Sequence, residues 1–157
     1  DENYLVSPAD GVISQIIETN GPTELGLENK KFTRVSVFMN VINCHVNRVP
    51  CSGKINKIIY KPGKYLNASL DKASDENERN FVQIKSVNGN DLILVQIAGL
   101  IARRILSFVN RLDTLKIGER FGLIRFGSRV DVYVPTSYQP KVKLGEKVIA
   151  GESIIAN

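Results

Sequence analysis

The chain contains one histidine, His45, so any imidazole chemistry it performs runs through that residue. Asp10 and Ser128 supply the two other residue types of a Ser/His/Asp relay, the orienter and the nucleophile. The three are scattered in sequence, as relay members usually are. Each also has an ordinary reading. His45 lies in the polar stretch Asn43-Cys44-His45-Val46-Asn47-Arg48-Val49-Pro50 and suits a structural role. Asp10 sits in Pro8-Ala9-Asp10-Gly11, where turn chemistry accounts for it. Ser128 follows Gly127 in the middle of residues 124–134, which read as one long strand because Ile124, Phe126, Val130, Val132 and Val134 alternate with polar neighbours. Gly inside such a pattern marks a bulge or a close backbone approach. Gly127-Ser128 is therefore either a bulge with a surface serine or a bond that the protein cuts in itself. In the second case the serine hydroxyl attacks the Gly127 carbonyl, the acyl group shifts from nitrogen to oxygen, and elimination breaks the chain. The resulting dehydroalanine hydrolyses to an N-terminal pyruvoyl group. Glycine suits the upstream side because its backbone bends at little steric cost.

The elements that must position these residues are short strands separated by turn residues. Val6–Ile17 alternates around the turn at Pro8 and Asp10-Gly11, and Asn20-Gly21-Pro22 opens a loop to about Lys31. Phe32–Met39 reads as a strand with Val35, Val37 and Met39 on one face. Lys54–Tyr60 reads as another strand, followed by the Pro62-Gly63 turn. Asn67–Asn80 is polar and reads as a loop with a helical turn near Ser74-Asp75-Glu76. Val87-Asn88-Gly89-Asn90 predicts a hairpin between Phe81–Ser86 and Asp91–Ile97, because Asn-Gly accepts positive φ. Ala98–Val109 fits a short helix or a strand, and two short strands close the chain. The expectation is a mainly β single domain over residues 1–157, of many short strands with barrel-like topology and few short helices.

The totals are those of one soluble globular domain: 157 residues, 43% hydrophobic and 24% charged. No run approaches the ~18 apolar residues a membrane span requires, and no signal peptide opens the chain. The net charge of +5 suits anionic partners such as lipid headgroups, nucleic acid or acidic metabolites, and no basic block chooses among them. Cys44 and Cys51 form no zinc-like pattern and are expected as free thiols in a reducing compartment. No metal site is expected.

Three stretches, in order, resemble the signatures of phosphatidylserine decarboxylase: Ser7-Pro8-Ala9-Asp10-Gly11, Phe38–Pro50 with His45, and Phe126-Gly127-Ser128. Pro62-Gly63-Lys64, Asn67–Ser74, Asn77-Glu78-Arg79 and Val95–Ile105 resemble the short bacterial and archaeal form of that enzyme. The resemblance covers nearly the whole chain. It implies cleavage between Gly127 and Ser128, giving a β chain of residues 1–127 and an α chain of residues 128–157 that stay associated, with homo-oligomers possible. It implies a covalent pyruvoyl group made from Ser128 as the sole cofactor, and no metal. The carbonyl of that group would condense with the substrate amine and draw electrons from the bond to the carboxylate, so that CO₂ leaves and phosphatidylethanolamine is released. Asp10, His45 and Ser128 are then the catalytic residues, and Arg48, Arg103 and Arg104 are candidates for holding substrate.

The resemblance also implies a zymogen of phospholipid biosynthesis, an anionic membrane surface as partner rather than nucleic acid, and a place at the bacterial cell membrane. The protein would be peripheral on the cytoplasmic face or anchored by an N-terminal segment upstream of this sequence. One departure stands out. Many longer members read His-x-x-His-x-Pro in the second signature, whereas this chain has Arg48 at the second histidine position. Arginine cannot act as a base at neutral pH, so His45 is expected to serve as both base and proton donor.

A different class competes. Leu70-Asp71-Lys72-Ala73 resembles the lipoyl-lysine turn of carrier domains, and the glycines at 145 and 151 resemble those of lipoyl and biotinyl barrels. A carrier module modified on Lys72 would leave His45 and Gly127-Ser128 unexplained. A pyruvoyl decarboxylase acting on a soluble amino acid would fit Gly127-Ser128 but not the other signatures.

Overall fold

The computed structural model describes residues 3–40, 46–70, 72–100, 104–124 and 127–157. Among these the protein is mainly β, with one four-residue helix. The main body is an antiparallel sheet of eight strands curled as a half-barrel. Its central strands are β2 (Gly11–Asn20), β3 (Lys31–Phe38), β11 (Arg129–Pro135), β7 (Asp91–Ile97), β6 (Arg79–Ser86) and β5 (Gly53–Lys61), side by side in that order. Two-residue strands, β12 (Lys147–Val148) and β9 (Thr114–Leu115), close its edges. A second sheet has β10 (Arg120–Ile124) between β4 (Val46–Arg48) and β8 (Ile105–Ser107). β1 (Leu5–Val6) pairs with β13 (Ile154–Ala156).

The predicted face of Val35, Val37 and Met39 is buried in the main core, against Val130, Val132 and Val134 of β11 and Phe121 and Ile124 of β10. β6 and β7 form the predicted hairpin, with Gly89 at φ 86° and its N–H donating to Ser86. The helical turn expected in the polar loop is α1 (Ala73–Glu76), and the ambiguous stretch after Ala98 contains strand β8.

One expectation needs correction. The described residues of 124–134 do not form one strand with a bulge. β10 ends at Ile124 in the smaller sheet, and β11 begins at Arg129 in the larger one. Gly127 stands between them at φ 85°, a left-handed conformation that breaks the extended path and that glycine adopts without penalty. The chain changes sheets next to Ser128.

β11 is buried on both faces because it lies near the middle of the large sheet. Its alternation sends Val130, Val132 and Val134 into the main core and Arg129, Asp131 and Tyr133 to the opposite face. There Phe32, Phe81, Ile93, Val95, Ile97 and Tyr133 form a second core with Leu25 and Ala73. Burial raises the Tyr133 phenol above its ordinary range, and Asp131 adds to the effect.

Arg129 and Asp131 are each only 1% exposed, so their charges must satisfy one another. Arg129 Nε donates to Asp131 Oδ1 at 2.9 Å and Nη2 to Oδ2 at 3.2 Å. Nη1 donates to the Ala68 carbonyl at 3.0 Å, and Nη2 also reaches the Ser74 hydroxyl. One guanidinium thus ties the 68–74 segment to the start of β11. Asp131→Ala would leave that cation buried without its carboxylate. The expected loss of stability is about 3–5 kcal/mol, read as a lower urea midpoint, and an unchanged midpoint would contradict this account of the clamp.

Candidate functional site

The Gly127–Ser128 peptide is held on several sides. The Gly127 N–H donates to the Met39 carbonyl at 2.8 Å, and the Met39 N–H donates to the Ser128 carbonyl at 2.8 Å. One residue beyond the end of β3 therefore brackets the peptide through its own backbone. The same residue touches the serine side chain, because Ser128 Oγ donates to Met39 Sδ at 3.3 Å. Ser128 is fully buried. A surface serine on a bulge is excluded.

Gly99 closes the site from the side of the Gly127 carbonyl. A Cβ placed on Gly99 would lie 2.1 Å from the Gly127 oxygen and 3.0 Å from its carbonyl carbon. Only a residue without a side chain permits that approach.

Beside Met39 runs a chain of buried amides. Asn47 Nδ2 donates to Met39 Sδ at 3.7 Å. Gln96 Nε2 donates to Asn47 Oδ1 at 3.0 Å and to the Leu106 carbonyl at 3.2 Å. Asn80 Nδ2 donates to Gln96 Oε1 at 2.9 Å. Asn47 and Gln96 are fully buried.

Asp10 lies in the bend before β2. The Ser7 hydroxyl donates to the Ala9 carbonyl at 2.8 Å, and Asp10 Oδ1 accepts the Ala150 N–H at 2.5 Å. Val12 of β2 pairs with Phe38, and Phe38 pairs with Arg129. Two strand spacings of ~4.8 Å thus put the Asp10 backbone roughly 10 Å from that of Ser128, at the same end of the sheet.

Arg48 lies on β4 next to Asn47, so the two side chains leave opposite faces of the strand. The Arg48 Nη1 donates to the Gly118 carbonyl at 2.7 Å, and its stem passes Gly151. Arg104 is exposed just before β8. Lys72 is exposed at the start of α1. Cys51 is buried. His45, Cys44, Arg103 and Asp71 lie outside the described residues. Among the described residues no group of histidine, cysteine and acidic side chains could hold a metal ion.

The family model for phosphatidylserine decarboxylase matches residues 1–156. The chain belongs to the phosphatidylserine decarboxylase family. It is 60% identical over 156 residues to the phosphatidylserine decarboxylase proenzyme of Pelagibacter ubique, an alignment covering 99% of this chain and 72% of that protein. The corresponding proenzyme of Ruegeria pomeroyi is 56% identical over 156 residues, covering 99% and 71% of the two chains. That of Beijerinckia indica is 54% identical over 157 residues, covering 100% and 67%. Membership of this decarboxylase family favours an enzyme over the carrier module considered for Lys72.

Sequence reasoning had singled out Asp10, Gly127 and Ser128 but not Met39, Asn47, Gln96 or Gly99 as parts of the site. For Gln96 a signal was present: it is the polar residue in the otherwise apolar run Leu92-Ile93-Leu94-Val95-Gln96-Ile97. Met39 and Gly99 fall within the stretches that resemble the family but carry no signal of their own, because a core methionine and a loop glycine are ordinary.

The approach of Gly99 to the Gly127 carbonyl leads to a test on the decarboxylase precursor. In Gly99→Ala the methyl group forces the two backbones apart, and a displacement of about 1 Å at a reacting centre can slow a step by ~10²-fold. Chain splitting between residues 127 and 128, followed on a denaturing gel, should slow by that order while the circular dichroism spectrum is retained. Splitting at the normal rate would contradict the importance of this contact.

Proposed function

We propose that this chain decarboxylates phosphatidylserine to phosphatidylethanolamine, and that it first cuts its own Gly127–Ser128 bond to make the pyruvoyl group it uses. The observation that carries the reading is the state of that peptide: a left-handed glycine at a sheet crossing, next to a fully buried serine bracketed by Met39.

The first step forms a bond from Ser128 Oγ to the Gly127 carbonyl carbon and breaks the carbon–nitrogen bond. The hydroxyl proton passes through a base to the freed amine. The second step removes the Ser128 Cα proton and breaks the Cβ–Oγ bond, and Oγ leaves as a carboxylate oxygen of Gly127. Water then replaces nitrogen on the dehydroalanine, and ammonia departs. Residues 1–127 and 128–157 become the β and α chains of one catalytic domain.

His45 is assigned as the base for the first step and as the proton donor in turnover, since Arg48 cannot titrate near neutrality. Asp10 is assigned as the residue that orients it, by analogy with the buried Asp of Ser/His/Asp relays. The buried position of Ser128 fits the pyruvoyl group. After elimination its Cβ is a methyl, and the polarizable thioether of Met39 accepts a methyl as well as a hydroxyl. When formed, the group supplies a carbonyl that accepts electrons from the breaking carbon–carboxylate bond. The chain's own part is to hold the group beside Met39 and to deliver one proton to the product carbon. Arg103 and Arg104 are assigned to the substrate phosphate, with Arg48 as a further cation.

Ser128→Ala tests the reading. It should leave a single intact chain that releases no CO₂ from phosphatidylserine vesicles. A variant that still splits at this bond, or an intact one that still releases CO₂, would overturn it.

The membrane enters as the surface that holds the substrate. No described helix is long and apolar enough to cross a bilayer. Phe108 and Leu112 are large apolar side chains, each about half exposed, on the segment that also carries exposed Arg104 and Arg111. With a net charge of +5, this domain is assigned a place at an anionic membrane face, either peripheral or held there by an N-terminal segment upstream of this sequence. Binding to phosphatidylserine-containing vesicles should weaken several-fold between low and high salt, because salt screens the attraction. Binding measured by co-sedimentation that is indifferent to salt would count against an electrostatic contribution.

A further inference from the structure

The amide chain that ends at Met39 has a fixed direction. The Leu106 carbonyl can only accept, so the atom of Gln96 that faces it at 3.2 Å must be the nitrogen. The same nitrogen faces Asn47 at 3.0 Å, so the Asn47 atom opposite must be the oxygen. Asn80 donates to the remaining Gln96 oxygen at 2.9 Å, which agrees with this assignment. Asn47 therefore has no freedom to flip, and its Nδ2 must point at Met39.

What Nδ2 meets there is a poor acceptor. Its hydrogen-bond partner among the described residues is the Met39 thioether at 3.7 Å. A fully buried amide N–H ordinarily finds an oxygen, because an unmade hydrogen bond in the interior is costly. Ser128 Oγ lies 3.3 Å from the same sulfur. The donor and the nucleophile share one weak neighbour.

We infer that Asn47 donates a hydrogen bond from Nδ2 to Ser128 Oγ while the Gly127–Ser128 bond is rearranged, and that Gln96 and Asn80 are positioning residues for it. The inference rests on the self-cleavage proposed above and adds a residue to it. Oγ carries developing negative charge twice. It does so once as its proton leaves and it attacks the Gly127 carbon, and again as its bond to Cβ breaks and it departs with Gly127 as carboxylate. A pre-oriented N–H beside it stabilises both events without reorganisation, the basis of electrostatic catalysis in a dry site. The thioether contacts both groups at rest and competes weakly for either. Once cleavage is complete, Oγ belongs to the β chain and Asn47 has no further reacting oxygen of Ser128 to serve. Its contribution is confined to maturation.

That confinement supplies the test. Wild-type, Asn47→Leu, Gln96→Leu and Ser128→Ala precursors are made by cell-free translation, and splitting is followed over time on denaturing gels. Matured fractions are titrated for pyruvoyl content by reductive trapping with a labelled amine, and CO₂ release is expressed per pyruvoyl group. Asn47→Leu should split about 10²-fold more slowly, the effect of losing one pre-oriented donor. Turnover per pyruvoyl group should match wild type. Gln96→Leu keeps the donor but frees its orientation, so it should slow splitting to a smaller degree and also leave turnover per pyruvoyl unchanged.

Splitting of folded Asn47→Leu at the wild-type rate would overturn the inference, as would a loss of turnover per pyruvoyl equal to the loss in maturation. If Asn47→Leu does not fold, Gln96→Leu decides, and normal splitting there has the same consequence. The parent reading fails separately, if Ser128→Ala also splits.

Discussion

The buried ion pair of Arg129 and Asp131 is the constraint around which the site is built. A guanidinium taken out of water is tolerated only with its charge matched and its donors used, and here one carboxylate, two backbone carbonyls and a hydroxyl do so. Because these partners come from the 68–74 segment as well as from β11, the pair fixes where β11 begins. Strand alternation then sends the neighbouring Ser128 to the opposite face, into the core, beside Met39. The charge sits on one side of the sheet and the proposed nucleophile on the other, one residue apart.

The second consequence concerns the peptide before Ser128. The chain arrives from one sheet and leaves in another, and between the two strands stands a glycine with left-handed backbone. Met39 ties down the residues on both sides of the bond, and Gly99 lies against its carbonyl. The bond is thus held where a side-chain hydroxyl and a carbonyl carbon belong to adjacent, immobilised residues. Proximity of this kind replaces much of the entropy cost of bringing reactants together. A large set of donors is not required, because the nucleophile and the electrophile are already covalently joined.

Local chemistry made part of this legible in the sequence. The alternation of Val35, Val37 and Met39, the Asn88-Gly89 hairpin and the helical turn in the polar loop all follow from short-range rules, and each was found where it was expected. The Gly127-Ser128 dipeptide was legible as an anomaly, but its setting was not. The apolar alternation runs on across residues 124–134, since β10 buries Phe121 and Ile124 and β11 buries Val130, Val132 and Val134 in one core. Periodicity reports burial and is blind to a change of sheet, so two strands looked like one. The amide chain was hidden for a related reason: Asn47, Asn80 and Gln96 come from three strands and acquire meaning only when the sheets bring them together. The clamp of Arg129 on the 68–74 segment spans more than fifty residues and has no local signature.

The most direct measurement of the central claim is the intact mass of the denatured wild-type protein after purification without protease exposure. The account predicts two chains, one ending at Gly127 and one comprising residues 128–157 whose N-terminus is lighter than serine by one ammonia, the mark of a pyruvoyl group. A single chain of full mass with decarboxylase activity, or a smaller chain that begins with an unmodified Ser128, would contradict it.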